Sequence, residues 1–240
     1  MNVRWIYILA VVLILILVGG AMFNYFKRDQ PAADINNGEW IALPQPAYDS
    51  QTSIEKALLD RRSIRNYSSA PLSLPEISQL LWAAQGITRP GGYRTAPSAG
   101  ALYPLEVYLI SGDIDQLPPG VYRYHPEGHK LEQLIEGDVR RELSTAALNQ
   151  EFVQDAPAVI LISAVYERTT GKYGQRGIQY VHMEVGSVAE NIYLQAESLD
   201  LGSVFIGAFY DDQVRHVVAL DQDEIPMGIM PVGKLPQMRH

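Results

Sequence analysis

The sequence predicts an α+β domain carried behind one N-terminal transmembrane helix. Three observations predict it. Helical periodicities are interspersed with a hairpin signal and with isolated apolar strands, so the order is not a regular βαβ alternation. Trp5 to Phe23 is one apolar run, long enough to cross a bilayer. The chain has 240 residues and is 47% hydrophobic, which supplies one well-cored domain plus an appendage.

Taken in order, the apolar run comes first. At about 1.5 Å per residue, roughly twenty residues span a hydrocarbon layer of about 30 Å. Trp5, Tyr7, Phe23, Tyr25 and Phe26 lie near its ends, where aromatic rings favour the headgroup level. The run exceeds a signal-peptide core of about 7–15 residues, and no A-x-A site follows it. Residues 1–28 are therefore read as an uncleaved single-pass anchor rather than a cleaved signal. Lys27 and Arg28 outweigh Arg4, which leans the main domain towards the cytoplasm. Residues 29–50 read as a linker, with Pro31, Gly38, Pro44 and Pro46 and no sustained period. Within it Trp40, Ile41 and Leu43 are expected to lie on the domain as a short extended arm.

The folded domain is expected over 51–240. Ser53 is the N-cap of a helix whose apolar face is Ile54, Ala57 and Leu58. Ser73-Leu74-Pro75-Glu76 is a capping box with proline in the first turn. It opens a second helix bearing Ile77, Leu80, Leu81 and Ala84, stopped by Gly86. Arg89 to Gly100 is too rich in glycine and proline for a regular element. Leu105–Ile110 reads as a strand. Val121–Tyr124 and Lys130–Leu134 flank a His125–Gly128 turn, a hairpin signal. Asp138 is expected to cap a helix reaching about Leu148. Ala158–Val165, an unbroken apolar run, reads as a strand buried on both faces. Met183–Leu199 is a helix with Val185, Val188, Ala189, Ile192, Ala196 and Leu199 on one face, ended by Gly202. Ser203–Gly207 is a further strand. Asp211 starts a short helix with Val214, Val217 and Val218, and Gly228–Lys234 closes the chain as strand and turn.

Composition excludes several chemistries. A net charge of -8 lacks the basic face that nucleic-acid binding needs. The absence of cysteine removes disulfides, thiolate nucleophiles, iron–sulfur ligation and Cys-zinc sites. The five histidines fall at no metal-binding spacing, so no metal site is expected. Against that background Arg61, Arg62, Ser63 and Arg65 stand out. Guanidinium forks match phosphate oxygens, so the cluster points to a local anion. The alternative is a basic patch at a helix C-terminus, or side chains simply in water. Tyr93, Tyr103, Tyr166 and Tyr180 are candidate pocket residues, with half-buried packing as the alternative for each.

Several separated stretches then share one likeness. They are R-R-S-I-R-N-Y (Arg61–Tyr67), A-P-S-A-G-A-L-Y-P-L-E-V-Y (Ala96–Tyr108), G-V-Y-R-Y (Gly120–Tyr124), K-Y-G-Q-R (Lys172–Arg176), E-V-G-S-V-A-E-N-I-Y-L (Glu184–Leu194) and M-P-V-G-K (Met230–Lys234). In this order and spacing the chain resembles the FMN-dependent nitroreductase superfamily, and within it the SagB-type dehydrogenases related to azoline oxidases. The likeness covers about Ile54 to Lys234.

The resemblance implies a sandwich whose mostly antiparallel central sheet is flanked by helices, and a homodimer with FMN at the interface. It implies that Arg61, Arg62, Ser63 and Arg65 hold the FMN phosphate, with Gly233 and Lys234 adding positive charge. Pro97, Ser98, Ala99, Gly100, Ala101 and Leu102 resemble the segment that lies along the isoalloxazine from the partner subunit. Ala101 stands where many nitroreductases have Asn, a departure that fits the SagB type. Ile206, Gly207 and Ala208 resemble the segment facing the flavin's reactive edge. Lys172 and Tyr173 match a pair proposed in azoline-oxidising relatives to assist proton removal while hydride passes to FMN. A solvent-facing lysine beside a packing tyrosine is the alternative. His182 and Glu184 are further candidates for touching substrate. The implied function is a membrane-tethered FMN oxidoreductase acting on a small molecule or a modified peptide. A second reading is a nitro, quinone or dehalogenating reductase using NAD(P)H as electron donor. A third, of another class, is a flavin- or peptide-binding module without turnover.

Overall fold

The computed structural model describes residues 40–236. Along the chain the elements are β1 (Trp40–Ala42), α1 (Ile54–Asp60), α2 (Leu74–Gln85), β2 (Ile87–Arg89), β3 (Tyr93–Arg94), β4 (Leu105–Ser111), β5 (Gly120–His125) and β6 (Lys130–Glu136). There follow α3 (Arg140–Ala146), α4 (Phe152–Asp155), β7 (Ala158–Ala164), α5 (Glu167–Tyr173), α6 (Arg176–Ser198), β8 (Leu201–Ser203), α7 (Asp211–Val218) and β9 (Ile225–Lys234). Seven strands form one sheet in the order β1-β6-β5-β4-β7-β9-β8, and every neighbouring pair is antiparallel.

The sheet's alternation builds two cores. Leu105, Val107 and Leu109 of β4 and Ile160 and Ile162 of β7 face one side, with Leu80 of α2 and Val188 and Ile192 of α6. Tyr108 and Ile110, with Val159 and Leu161, face the other, against Leu143 of α3 and Val214 and Val218 of α7. Strand β7 is central and buried at every position, as its unbroken apolar run predicts. Each such aliphatic side chain contributes about 1.5–3 kcal/mol by leaving water. Truncating Ile160 to alanine would cost about 2–5 kcal/mol, because its neighbours cannot collapse into the gap.

Helix ends follow their sequence signals. Ser53 accepts from the Lys56 amide. Ser73 and Glu76 form the reciprocal capping box, and Gly86 closes α2. A buried polar knot fastens the second face of the sheet. Tyr108 donates to Glu224 at 2.9 Å, Ser163 donates to it at 2.5 Å, and Arg123 pairs with it and with Asp221. Burial pushes the Glu224 carboxyl up, and the Ser163 hydroxyl and the Arg123 charge pull it back.

Several expectations are corrected. Among the described residues no helix is long and apolar enough to cross a membrane. The 23-residue α6 has the length, but Arg176, Glu184, Glu190 and Glu197 along it rule it out as a span. The single-pass membrane localisation is corrected to that extent: no described helix provides the span, and the expected span Trp5–Phe23 with the block 1–28 lies outside the described residues. The short extended arm expected at Trp40, Ile41 and Leu43 is present: Trp40–Ala42 is an edge strand paired with β6. Only Ala57 of the first helix is buried, while Ile54, Leu58 and Leu59 are exposed. The glycine-rich stretch after α2 contains the β2–β3 ribbon, turned by Gly91 at φ 96 and Gly92 at φ 80. Asp138 precedes α3 instead of capping it, and its carboxylate binds the Arg140 amide and guanidinium. Helix α6 starts seven residues earlier than expected, at Arg176 against Met183, because Gly177 packs on the backbone of Thr169 and Thr170. Gly202 lies in β8 and does not end that helix. Strand β8 stops at Ser203, and Ile206 rejoins the sheet only through its two bonds to Ile229.

Candidate functional site

The arginine segment leaves α1 and runs beside the edge strand β8. The Ile64 amide donates to Ser203 O at 2.8 Å, and the Ser68 amide donates to Lys234 O at 2.9 Å. Two glycines permit this approach. A Cβ on Gly202 would meet Ile64 Cγ2 at 2.6 Å, and one on Gly233 would meet Tyr67 Cβ at 2.9 Å. Gly233 is thus buried under Tyr67, a packing reason for glycine that its position in the motif did not reveal. Lys234 reaches Glu76 at 3.9 Å.

The two sequence readings of the arginines divide between residues. Arg62 turns back and donates to Leu59 O at 2.9 Å and Arg61 O at 2.7 Å, satisfying carbonyls at the end of α1. Arg61 lies over the Tyr193 ring at 5.2 Å, and Arg65 over Phe152 at 5.9 Å. Among the described residues none of the three guanidiniums has a carboxylate within 4.0 Å. Ser63 and Arg65 are exposed. Tyr193 ties the patch together: its hydroxyl lies 3.4 Å from Ser63 Oγ and accepts the Phe205 amide at 2.6 Å. That bond brings the chain leading into Ile206, Gly207 and Ala208 to the arginines. Ile206 is buried, while Gly207 and Ala208 are exposed.

The second cluster is the loop from Pro97 to Tyr103. Gly100, Ala101 and Tyr103 are all left-handed, at φ 65, 53 and 45. For the two residues with a Cβ this costs about 1–2 kcal/mol each. Ser98 Oγ accepts the Tyr103 amide at 2.9 Å and so spans the turn. Helix α5 closes over the loop. Lys172 Nζ and the Tyr173 hydroxyl lie against Gly100, where a Cβ would stand 3.0 Å and 2.8 Å from them. Arg168 donates to Tyr103 O at 3.1 Å and pairs with Glu106 at 2.6 Å. The rings of Tyr173 and Tyr180 meet edge-on at 5.1 Å, and Arg176 lies over Tyr180 at 5.6 Å. Lys172 is exposed but sits on a helix rather than a free loop.

His182 is exposed and bonded to the Tyr166 hydroxyl at 2.6 Å. Glu184 is only 3% exposed. Burial pushes its carboxyl up; the Ser98 hydroxyl and the Gln85 amide lower it. Sequence reasoning missed Tyr193, Arg168 and Gln85. Tyr193 stands inside a quoted motif, but its two partners lie far away in the chain, so no local signal marks it.

Helix α6 touches both clusters, through Glu184 at the loop and Tyr193 at the arginines. The stretch of helix between them corresponds to about 14 Å of rise. Within one chain the two clusters are therefore separate. Each offers a surface that fits part of one ligand: exposed cations at one, and an open backbone turn of small residues at the other.

Residues 58–234 match the nitroreductase family. The chain is 49% identical over 184 residues to the nitroreductase-family protein MJ1384 of Methanocaldococcus jannaschii, covering 77% of this chain and 92% of that one. It is 31% identical over 159 residues to the microcin B17-processing protein McbC of Escherichia coli, covering 63% and 58%. A nitroreductase crystal structure from Ralstonia eutropha superposes with a TM-score of 0.73 at 31% identity, over 86% of this chain and 95% of that one. A chain of the E. coli microcin synthetase McbBCD complex, with truncated pro-MccB17 bound, does so at 0.64 and 27%, over 80% and 77%. The chain belongs to the nitroreductase family, an oxidoreductase family whose members generally bind FMN. Its likeness to McbC, and to the trifolitoxin operon protein TfxC of Rhizobium leguminosarum at 23% identity, places it on the SagB-type side of that family.

Proposed function

We propose that this chain is an FMN-dependent oxidoreductase of the SagB type, acting as a homodimer and dehydrogenating an azoline-like ring in a small molecule or modified peptide. One observation carries the reading: Arg61 and Arg65, without carboxylate partners among the described residues, lie over Tyr193 and Phe152, and the Tyr193 hydroxyl holds the chain that leads into Gly207. FMN, when bound, supplies the hydride-accepting chemistry. Arg61, Ser63 and Arg65 hold its phosphate through charge-assisted bonds from different directions, and Lys234 adds charge at the rim. Arg62 shapes the segment by holding the end of α1. Gly207 and Ala208 leave the reactive edge open. The partner subunit's loop, equivalent to Pro97–Leu102, covers the ring with backbone and small side chains. Lys172 and Tyr173, seated on that loop at Gly100, would be placed to accept a proton from the substrate.

One feature supports the dimer. Ile54, Leu58 and Leu59 expose 55%, 55% and 68% of their surface on α1, and Met183 exposes 60%.

The test is direct. Purified protein is expected to bind FMN stoichiometrically and to elute as a dimer; failure to take up FMN would sink the reading. Anaerobic addition of an azoline-bearing peptide should bleach the flavin. A second reading, an NAD(P)H-dependent reductase, is favoured by the likeness to MJ1384, and bleaching by NADH or NADPH in place of the peptide would select it. A bound flavin that none of these reduces would select a binding module without turnover.

A further inference from the structure

Between α3 and α4 the chain turns through Leu148 and Asn149, left-handed at φ 60 and 59. A bulky side chain rarely takes that conformation, and Leu148 buries little in return, being 44% exposed. What the turn delivers is Gln150. Its backbone is fixed, because its carbonyl accepts the Ser144 hydroxyl at 2.9 Å and the Val153 amide at 3.0 Å. Its side-chain nitrogen donates to Ala147 O at 2.8 Å and to Ala208 O at 3.1 Å. Both protons of that amide are thereby used, one inside the turn and one across to the segment proposed for the flavin's reactive edge.

The stretch that Gln150 reaches is held at both ends and open between them. Ile206 exchanges two bonds with Ile229, at 2.9 and 3.0 Å, and the Tyr210 amide donates to Ala146 O at 2.9 Å. Among the described residues the Gly207, Ala208 and Phe209 amides donate to no backbone or side-chain acceptor. Every peptide here is trans, so the carbonyl and the amide of one peptide point opposite ways. With Ala208 O turned to Gln150, the Phe209 N–H points away from the α3–α4 turn. The Tyr210 bond turns Phe209 O the same way. The Phe209 ring packs against the second core, which anchors the residue from inside.

We infer that Gln150 is a positioning residue for the proposed cofactor edge: by holding Ala208 O it fixes the direction of the Phe209 amide, the donor that a ligand acceptor beside Gly207 and Ala208 meets. A donor aimed beforehand loses no freedom when the ligand arrives. The strained turn at Leu148 and Asn149 then has a purpose, since it sets Gln150 under both carbonyls. The inference rests on the reading that this segment faces FMN, but the bonds of Gln150 exist without it.

Two substitutions separate direction from shape. Gln150→Met keeps the length of the side chain and removes both donors, while Gln150→Lys returns a donor on a stem of similar reach. Three readouts are taken on the full chain: the direction of the Phe209 N–H from its NMR residual dipolar coupling without FMN, exchange of the Phe209 and Tyr210 amides, and FMN affinity by absorbance. In wild type, FMN should slow Phe209 exchange at least about tenfold. Gln150→Met should change the coupling, abolish that slowing and weaken FMN about tenfold, the worth of about one hydrogen bond. Tyr210 exchange should stay within about threefold of wild type, because its bond to Ala146 O is untouched. Gln150→Lys should return the coupling to its wild-type value and FMN affinity to within about threefold. An unchanged coupling and affinity in Gln150→Met, or a Gln150→Lys no better than Gln150→Met, would overturn the inference. So would Tyr210 exchange about tenfold faster in Gln150→Met, which would make Gln150 a support of the turn alone. A wild type that binds no FMN would remove the cofactor reading instead, and the couplings of the FMN-free variants would then decide the role of Gln150.

Discussion

The Tyr173 hydroxyl rests on the backbone of Gly100, 2.8 Å from where a Cβ would stand. Gly100 also has φ 65, so alanine there meets a strained backbone and an occupied space together. Gly100→Ala should lower turnover about 10²-fold by displacing the Lys172–Tyr173 pair, and lower stability by about 1–2 kcal/mol. Steady-state rates and urea unfolding measure the two effects. An unchanged rate would mean that the pair is not held by this contact.

Lys172→Ala should leave FMN bound and slow the chemical step by about 10²–10⁴-fold, the range for loss of an acid–base group. Single-turnover bleaching of the flavin isolates that step. Equal rates would remove the lysine from the mechanism.

The double substitution Arg61→Ala and Arg65→Ala should abolish FMN retention through gel filtration while leaving circular dichroism unchanged. Both side chains lie on aromatic rings at the surface side of the patch rather than in either core. Arg62→Ala should instead cost stability first, since its guanidinium holds two backbone carbonyls.

Breaking the buried knot is expected to be expensive. Arg123→Met leaves Glu224, 2% exposed, without its cation, at a cost of about 3–5 kcal/mol. Denaturant unfolding should show it as a shifted midpoint with an unchanged slope. A loss below about 1 kcal/mol would show that Tyr108 and Ser163 alone satisfy the carboxylate.

His129 supplies a pH dependence. Its imidazole bonds Tyr124 at 2.8 Å and Ser78 at 2.7 Å and reaches Pro44 O at 3.1 Å. Burial holds its pKa below the ordinary 6.5, opposed by the Pro44 carbonyl. The unfolded chain therefore takes up the proton first. The stabilising contribution is complete above 6.5 and is lost as the pH falls through the folded-state value. The thermal midpoint of wild type should drop more than that of His129→Gln between about pH 7.5 and about pH 5. Parallel curves would exclude this histidine as the cause.

What the chain declares locally was legible, and what depends on tertiary neighbours was not. The Ser73–Glu76 box, the His125–Gly128 hairpin and the buried run of β7 are each set by residues close in sequence. Gly202 and Met183 misled for the opposite reason. A glycine after an apolar helix looks like a stop, but Gly202 is small to admit Ile64. The extension of α6 back to Arg176 depends on Gly177 meeting α5, which no periodicity contains. The site divides in the same way. Arg61–Arg65 and the Ser98–Gly100 turn are visible as motifs. Tyr193 and Gln85, which join those motifs to the rest, are visible only once α6 and α2 lie beside them.

Helix α6 is also a ruler. It runs from beside the loop to Tyr193 at the arginines, and in the proposed dimer those two ends serve different flavins, so its rigid backbone sets how the two sites are spaced and angled. Inserting one residue ahead of Tyr193 would turn one end about 100° against the other and lengthen the gap by about 1.5 Å. The loop and the arginine segment could each remain folded, yet each chain's loop would no longer meet its partner's site. In that segment residue count, more than residue identity, is the quantity a variant cannot change.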